Sequence, residues 1–213
     1  MKPLPNARPV IVTGHPYAYP YYFKVFEYVN KEDFVFVLPS IWRAKVTLKL
    51  QKHAGFEIYG LRTISYGRQS FLGGPFKGWL PGLMWLAPYL KFKYKSKVLY
   101  SCSEPNLLTT LLNGLIARFL GMRYVIFTWQ NIPPQERLSG YKLKLSESLI
   151  KLTLKLADAV ICGNKKAEKI IQYYDKTVKT EVFPLSGVDT ERFKPGLSTD
   201  WKEKLGLVGY KTI

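Results

Sequence analysis

Four short segments of this 213-residue chain combine residue types that could handle a polar ligand. The first, Thr13 to Tyr17, holds Gly14 and His15. A glycine there lets backbone N–H groups approach an anion, although Pro16 removes one of them. His15 has two readings, a proton carrier or ligand contact near neutral pH, or a solvated loop residue. The second segment, Ser103 to Asn106, carries Glu104 beside an expected helix start, whose N-terminus would stabilise the carboxylate. Glu104 either binds a ligand hydroxyl or is a first-turn carboxylate. The third segment, Trp129 to Pro134, places one stacking face beside two amides in Trp129, Gln130 and Asn131. That set suits a polyhydroxylated ligand, or equally a half-buried Trp lying over a loop. The fourth is Gly163-Asn164.

Metal chemistry is not expected. Cys102 and Cys162 each sit in an apolar run, with no second Cys or His at ligand spacing. They read as reduced core thiols.

A different cluster lies in residues 76–97. From Arg43 to Lys97 the cations include Lys45, Lys49, Lys52, Lys77, Lys91, Lys93, Lys95 and Lys97, and Glu57 is the acid among them. Trp79, Trp85, Tyr89 and Phe92 are interleaved with these lysines. Aromatic and leucine residues bordered by lysine are what an interfacial helix needs, so Lys77, Trp79, Trp85, Lys91, Lys93 and Lys95 are candidates for docking on an anionic membrane. The alternative is an amphipathic helix packed on a sheet, with solvated lysines.

The elements that must position these residues alternate. Apolar, β-branched runs at Val10–Thr13, Phe34–Leu38, Phe56–Tyr59, Val98–Cys102, Tyr124–Thr128, Ala159–Cys162 and Glu181–Phe183 read as seven strands. They lack polar alternation, as strands covered on both faces do. Between them, Leu145, Leu149, Leu152 and Leu156 share one helical face, with Lys142, Lys144, Lys151 and Lys155 away from it. Ser103 and Pro105 read as a helix N-cap and first turn, and Gly121 as the residue ending that helix. Repeated strand–helix alternation predicts an α/β fold, a doubly wound, Rossmann-like parallel sheet. Ligands then bind at strand carboxyl ends, which is where the four segments fall. Residues 66–82 read as a Gly/Pro-rich loop, 184–200 as a linker, 201–205 as a helical piece and 210–213 as the start of another strand.

Composition sets the outer bounds. Hydrophobic residues at 47% and charged residues at 22% describe a globular chain, and 32 Lys+Arg against 15 Asp+Glu leave +17. Such an excess selects polyanionic partners and says nothing of fold. Nucleic acid is disfavoured, because no helix-turn-helix, zinc-finger or RNP-type motif accompanies the charge. The start MKPLPNARP lacks an apolar h-region, and no run approaches the ~20 apolar residues of a spanning helix. The expectation is a cytoplasmic protein, soluble or peripheral on the inner face of the plasma membrane.

Val182-Phe183-Pro184-Leu185-Ser186-Gly187-Val188-Asp189-Thr190-Glu191-Arg192-Phe193-Lys194-Pro195 resembles the interdomain segment of glycosyltransferase family 4, with Ser186 where an Asn is usual. Leu156 to Asn164, Ser103-Glu104-Pro105 and Trp129 to Ile132 resemble further pieces of that family in the same order, so the likeness covers nearly the whole chain. The resemblance implies one half of a GT-B architecture: residues 1–183 as the N-terminal acceptor-side domain, 184–200 as interdomain linker and 201–213 as the start of the C-terminal domain. It implies a retaining, metal-free hexosyl transfer in polysaccharide biosynthesis, with a nucleotide-sugar donor as substrate, no cofactor, and a lipid-linked or glycan acceptor. Gly14, His15, Glu104, Trp129, Gln130, Asn131 and Asn164 would then be acceptor-side residues. The donor-binding domain, in cis or trans, would carry the family's Glu pair spaced by eight. No Glu of this chain has another eight positions on, so the catalytic residues are unknown and the chain alone is expected to be inactive. The alternative is a non-catalytic, acceptor-binding Rossmann module at the membrane surface.

Overall fold

The computed structural model describes residues 8–43, 47–64, 74–184, 201–204 and 206. Seven parallel strands form one sheet: β1 (Val10–Thr13), β2 (Phe34–Pro39), β5 (Glu57–Leu61), β6 (Val98–Cys102), β7 (Arg123–Thr128), β8 (Ala159–Cys162) and β9 (Lys179–Val182). Their order across the sheet is β5-β2-β1-β6-β7-β8-β9. All seven expected strands are present, with ends displaced by at most two residues. A two-stranded antiparallel hairpin, β3 (Ile41–Arg43) with β4 (Thr47–Lys49), was not anticipated. Both of its strands are short and mostly exposed, so neither leaves an apolar run in the sequence.

The helices are α1 (Pro20–Phe23), α2 (Leu83–Tyr94), α3 (Leu108–Phe119), α4 (Gly140–Leu156), α5 (Lys165–Tyr174) and α6 (Trp201–Lys204). From β1 the chain steps to β2 and then β5 on one side. From β6 it steps through β7 and β8 to β9 on the other. Right-handed crossovers in opposite directions put their connections on opposite faces. One face is thus covered by α2 to α5, whose Leu83, Leu90, Ala117, Ile150, Leu154 and Ile171 share a core with Ile11, Val35, Leu99 and Ile126. The other is covered by an aromatic segment, residues 15–28, which wraps α1 between 3-10 turns. Its Tyr17, Phe23 and Phe26 pack on Val12, Phe36 and Phe127. The alternation of each strand feeds both cores, which is why the strands read as continuous apolar runs.

Two local expectations change. The apolar stripe of α4 is rotated from the leucine spacing: Ser146, Leu149, Ile150, Thr153 and Leu154 are buried, while Leu145 and Leu152 stand half-exposed. Leucine spacing alone missed the small Ser146 and Thr153, which allow α4 to lie close on its neighbours. Ser103 is not a helix cap, since α3 starts at Leu108 after a turn in which the Leu107 N–H donates to the Glu104 carbonyl (3.1 Å). Lys142, Lys144, Lys151 and Lys155 are exposed, as expected.

Other local features follow the residues. Gly121 takes φ 61° just past α3, and Met122 N–H donates to the Ala117 carbonyl (2.8 Å), a left-handed stop to the helix. Asp158 accepts from the Tyr124 N–H (2.8 Å) and pairs with Arg123 (2.7 Å) and Arg118 (3.2 Å). Burial works against its charge, but the N–H and the two guanidiniums hold its carboxyl below the usual range. The residue thereby ties the start of β8 to β7 and α3. Both cysteines are free and buried, and burial pushes each thiol up to about 12. The readings over residues 65–73, 185–200 and 210–213 lie outside the described residues, apart from α6 in the helical piece expected near 201. Among the described residues no helix is long and apolar enough to cross a membrane.

Candidate functional site

Strand order reverses between β1 and β6, and the carboxyl ends of these two strands open the crevice where such sheets bind ligands. Gly14 lies there, directly after β1, with φ 145°. A Cβ on it would stand 2.5 Å from the Cys102 carbonyl oxygen at the end of β6. Glycine is required by both the dihedral and the approach of the two backbones.

His15 does not project into solvent. Its ring stacks on Trp42 of β3, centroids 4.7 Å apart, and Gly78 closes over it. Its Nδ1 is buried without a hydrogen-bond partner. Burial, and then the nearby Lys77 ammonium, lower its pKa to about 3. The imidazole is therefore neutral at physiological pH, which removes the proton-carrier reading and leaves a neutral ring with one buried, unpaired nitrogen. The sign of its pH linkage follows. The unfolded state binds the proton below pH ~6.5 and the folded state only near 3, so stability falls as pH drops through that window. At pH 5 the loss attributable to His15 is expected to be about 2 kcal/mol relative to neutral pH. His15→Phe keeps the stacking and should flatten this slope, measured as urea midpoints from pH 7 to pH 5.

Glu104 is a half-buried hub. Its carboxylate accepts from Thr128 Oγ1 and from the Trp129 N–H (3.0 Å), while the Gln130 N–H donates to Thr128 Oγ1 (3.2 Å). These bonds fasten the β6 loop to the loop after β7. Burial raises the carboxyl pKa, outweighing the Thr128, Trp129, Arg137 and Gln130 contributions that lower it. The expectation of a carboxylate stabilised by a helix start is corrected on both counts, because α3 begins four residues later and the shift is upward.

Trp129 is over one-third exposed, held edge-on by Phe127 (5.9 Å) and near Tyr22 (6.5 Å). Gln130 is buried; its Nε2 reaches the Ile132 carbonyl at 3.5 Å and its Oε1 has no partner. Asn131 is exposed. Asn164 caps α5, its Oδ1 accepting from the Ala167 N–H (2.9 Å). That oxygen is committed to the helix, while Gly163 abuts the Trp129 ring. The structure thus brings Gly14, His15, Glu104, Trp129 and Gln130 to one sheet edge.

The sequence reading missed the aromatic wall of this edge. Trp42 Nε1 donates to Tyr19 Oη (3.1 Å), and Tyr19, Tyr21 and Tyr22 form a contiguous group reaching Trp129. The run Tyr17-Ala18-Tyr19-Pro20-Tyr21-Tyr22-Phe23 was the available signal. A groove of about 510 Å³ runs beside it, between Ala18, Pro20 and the strand β4 with Leu50 and Gln51.

The docking candidates separate. Trp79 is buried, its carbonyl accepting from Thr63 Oγ1 (2.9 Å), and half-buried Lys77 faces His15, so these two belong to the sheet edge and not to a docking surface. The chain bends at Gly78, φ 75°, which turns both residues inward. Lys93 pairs with Glu57 (3.0 Å) and the Tyr59 hydroxyl (3.0 Å). Lys91 donates to the Leu120 carbonyl at the end of α3. Trp85 is 81% exposed, and Lys95 is exposed at φ 53°. Among the described residues no group of His, Cys, Asp and Glu could hold a metal ion.

Fold and edge together define an α/β domain of Rossmann-like class, a seven-stranded parallel sheet flanked by helices with an aromatic group beside its switch point. Compared with known proteins, the chain matches no family model and, at a significant level, no curated protein.

Proposed function

We propose that this chain is the acceptor-side half of a retaining GT-B glycosyltransferase, working with a donor-binding half in cis or trans. The observation that carries the reading is the aromatic group at the switch-point edge. Trp129, Tyr19 and Tyr22 present partly exposed rings there, beside the exposed amide of Asn131. Sugar rings present C–H faces for stacking on such rings and hydroxyls for the amide. The motif likeness from residue 182 to 195 adds the family. The acceptor is a glycan or lipid-linked saccharide, and a nucleotide sugar serves as donor on the other half. His15, neutral and clamped against Trp42, holds this edge in place and does not cycle protons, so this half supplies position and the donor half the chemistry.

Saturation-transfer NMR with a panel of neutral oligosaccharides and short-chain lipid-linked sugars tests this edge. Transfer to ring protons is expected, and Trp129→Ala should weaken binding by about tenfold, the value of one stacking face. Absence of transfer from every saccharide would remove the reading. The chain alone is expected to transfer no sugar from a nucleotide sugar, and measurable turnover would show that it needs no partner half. Binding without turnover even when a donor half is supplied would favour the non-catalytic acceptor-binding module, which the clamped histidine also fits.

A further inference from the structure

Helix α2 is apolar on both sides but covered on one. Leu83, Ala87 and Leu90 face the core, while Trp85 (81% exposed), Tyr89 and Phe92 (75%) point outward. Their spacing of four and three puts them in one ridge. Phe119, at the end of the neighbouring α3, is 91% exposed. An outward aromatic ridge of this extent marks an interaction face.

Where α2 ends, Phe92 also lines a groove of about 520 Å³ whose other walls are Arg8, Lys91, Lys95, Ser96, Lys97, Gly121 and Arg123. Five of these eight residues are cationic and none is acidic. Lys91 is engaged by the Leu120 carbonyl, and Arg123 by Asp158. Lys95 and Lys97 are exposed and have no acidic partner among the described residues. The imbalance extends along the helix layer. Between residues 83 and 156 the acids are Glu104, Glu136 and Glu147, against eleven Lys and Arg, and Glu104 is bonded to Thr128 and Trp129 at the opposite sheet edge.

We propose that the outer side of α2 and this basic groove form the face by which the chain sits on an anionic lipid bilayer. Trp85, Tyr89 and Phe92 enter the interfacial region, and Lys95 and Lys97 take lipid phosphate. Amphipathic surfaces bind this way when an aromatic ridge lies flat beside lysines that reach the headgroups. The ridge and the groove meet at Phe92, so one surface supplies both contributions. Nucleic acid would be served by the cations alone, and the ridge favours a bilayer. The inference does not depend on sugar transfer, because vesicle binding is read without any acceptor.

The test is co-sedimentation of the whole chain with phosphatidylcholine vesicles, with and without phosphatidylglycerol, at low and high salt. Binding to the anionic vesicles at low salt is expected, with a blue shift of tryptophan emission. Lys95→Glu with Lys97→Glu should weaken partitioning at least about tenfold, since each lysine near such a surface contributes substantially. Trp85→Ser with Phe92→Ser should weaken it comparably and abolish the blue shift. The charge-matched control, Lys166→Glu with Lys169→Glu on exposed positions of α5, should retain binding. Circular dichroism verifies folding of each variant. The proposal is overturned if anionic vesicles are not bound, if the α5 control loses binding equally, or if the aromatic variant binds like the parent. Preference for a single-stranded oligonucleotide over the vesicles would also overturn it.

Discussion

Gly14→Ala is expected to destabilise the protein by about 3–5 kcal/mol, a large fraction of the ~5–15 kcal/mol that holds a domain together. Two costs combine. An L-residue at φ 145° is strained, at about 1–3 kcal/mol. The new methyl would also meet the Cys102 carbonyl at 2.5 Å and its Cβ at 2.8 Å. Both atoms belong to β6, which is hydrogen-bonded on both sides in the sheet. Relief therefore requires β1 and β6 to separate, and overpacking of this kind costs roughly another 1–3 kcal/mol. Gly121→Ala is the informative contrast. It also has positive φ, but nothing lies within 4 Å of its added methyl, so only about 1 kcal/mol is expected. Urea denaturation of the two variants checks the pair. Equal losses would mean that the contact at the switch point is softer than the geometry requires.

Glu104→Ala is the second large effect, with a loss of about 2–4 kcal/mol. Removing the carboxylate strands the Thr128 hydroxyl, which is fully buried, and the Trp129 N–H. Relief of the desolvation that raises its pKa offsets part of this cost. Glu104→Gln keeps an acceptor oxygen and should lose only about 1 kcal/mol. The two variants also differ from the parent in pH dependence. A folded pKa raised above the unfolded value gives stability that is complete below the unfolded pKa and is lost as pH rises through the folded one. The advantage of the parent over Glu104→Gln should thus shrink as pH increases from about 4, measured by denaturant midpoints. An advantage that grows with pH would mean that the Thr128 and Trp129 bonds dominate over burial. Because Glu104 anchors the loop carrying Trp129, saccharide binding should weaken in Glu104→Ala even where the chain remains folded.

All seven sheet strands were legible in the sequence. So was the end of α3 at Gly121. These features are local: a β-branched run, a glycine that can turn left-handed. Gly14, Glu104 and Trp129 could be placed at one sheet edge because strand carboxyl ends are the ligand side of a doubly wound sheet. Their states could not. Whether His15 carries a proton depends on Trp42 and Gly78, which are distant in sequence and stack or close over the ring only after β3 and the bend before α2 have formed. The upward shift of Glu104 likewise depends on burial beneath the loop after β7.

The same division separates the lysines and aromatics of residues 76–97. Composition could establish that the stretch is basic, aromatic and partly helical. It could not show that Trp79 turns inward while Trp85 turns out, since both are tryptophans flanked by similar neighbours. What distinguishes them is the φ 75° bend at Gly78 and the angle at which α2 meets the sheet. Sequence by itself determined the positions of the seven sheet strands and the charge, because those are set by interactions within a few residues. Only the tertiary structure decided which polar atoms are sealed from water and which aromatic faces remain open, because solvent exclusion arises when segments far apart in the chain close over one another.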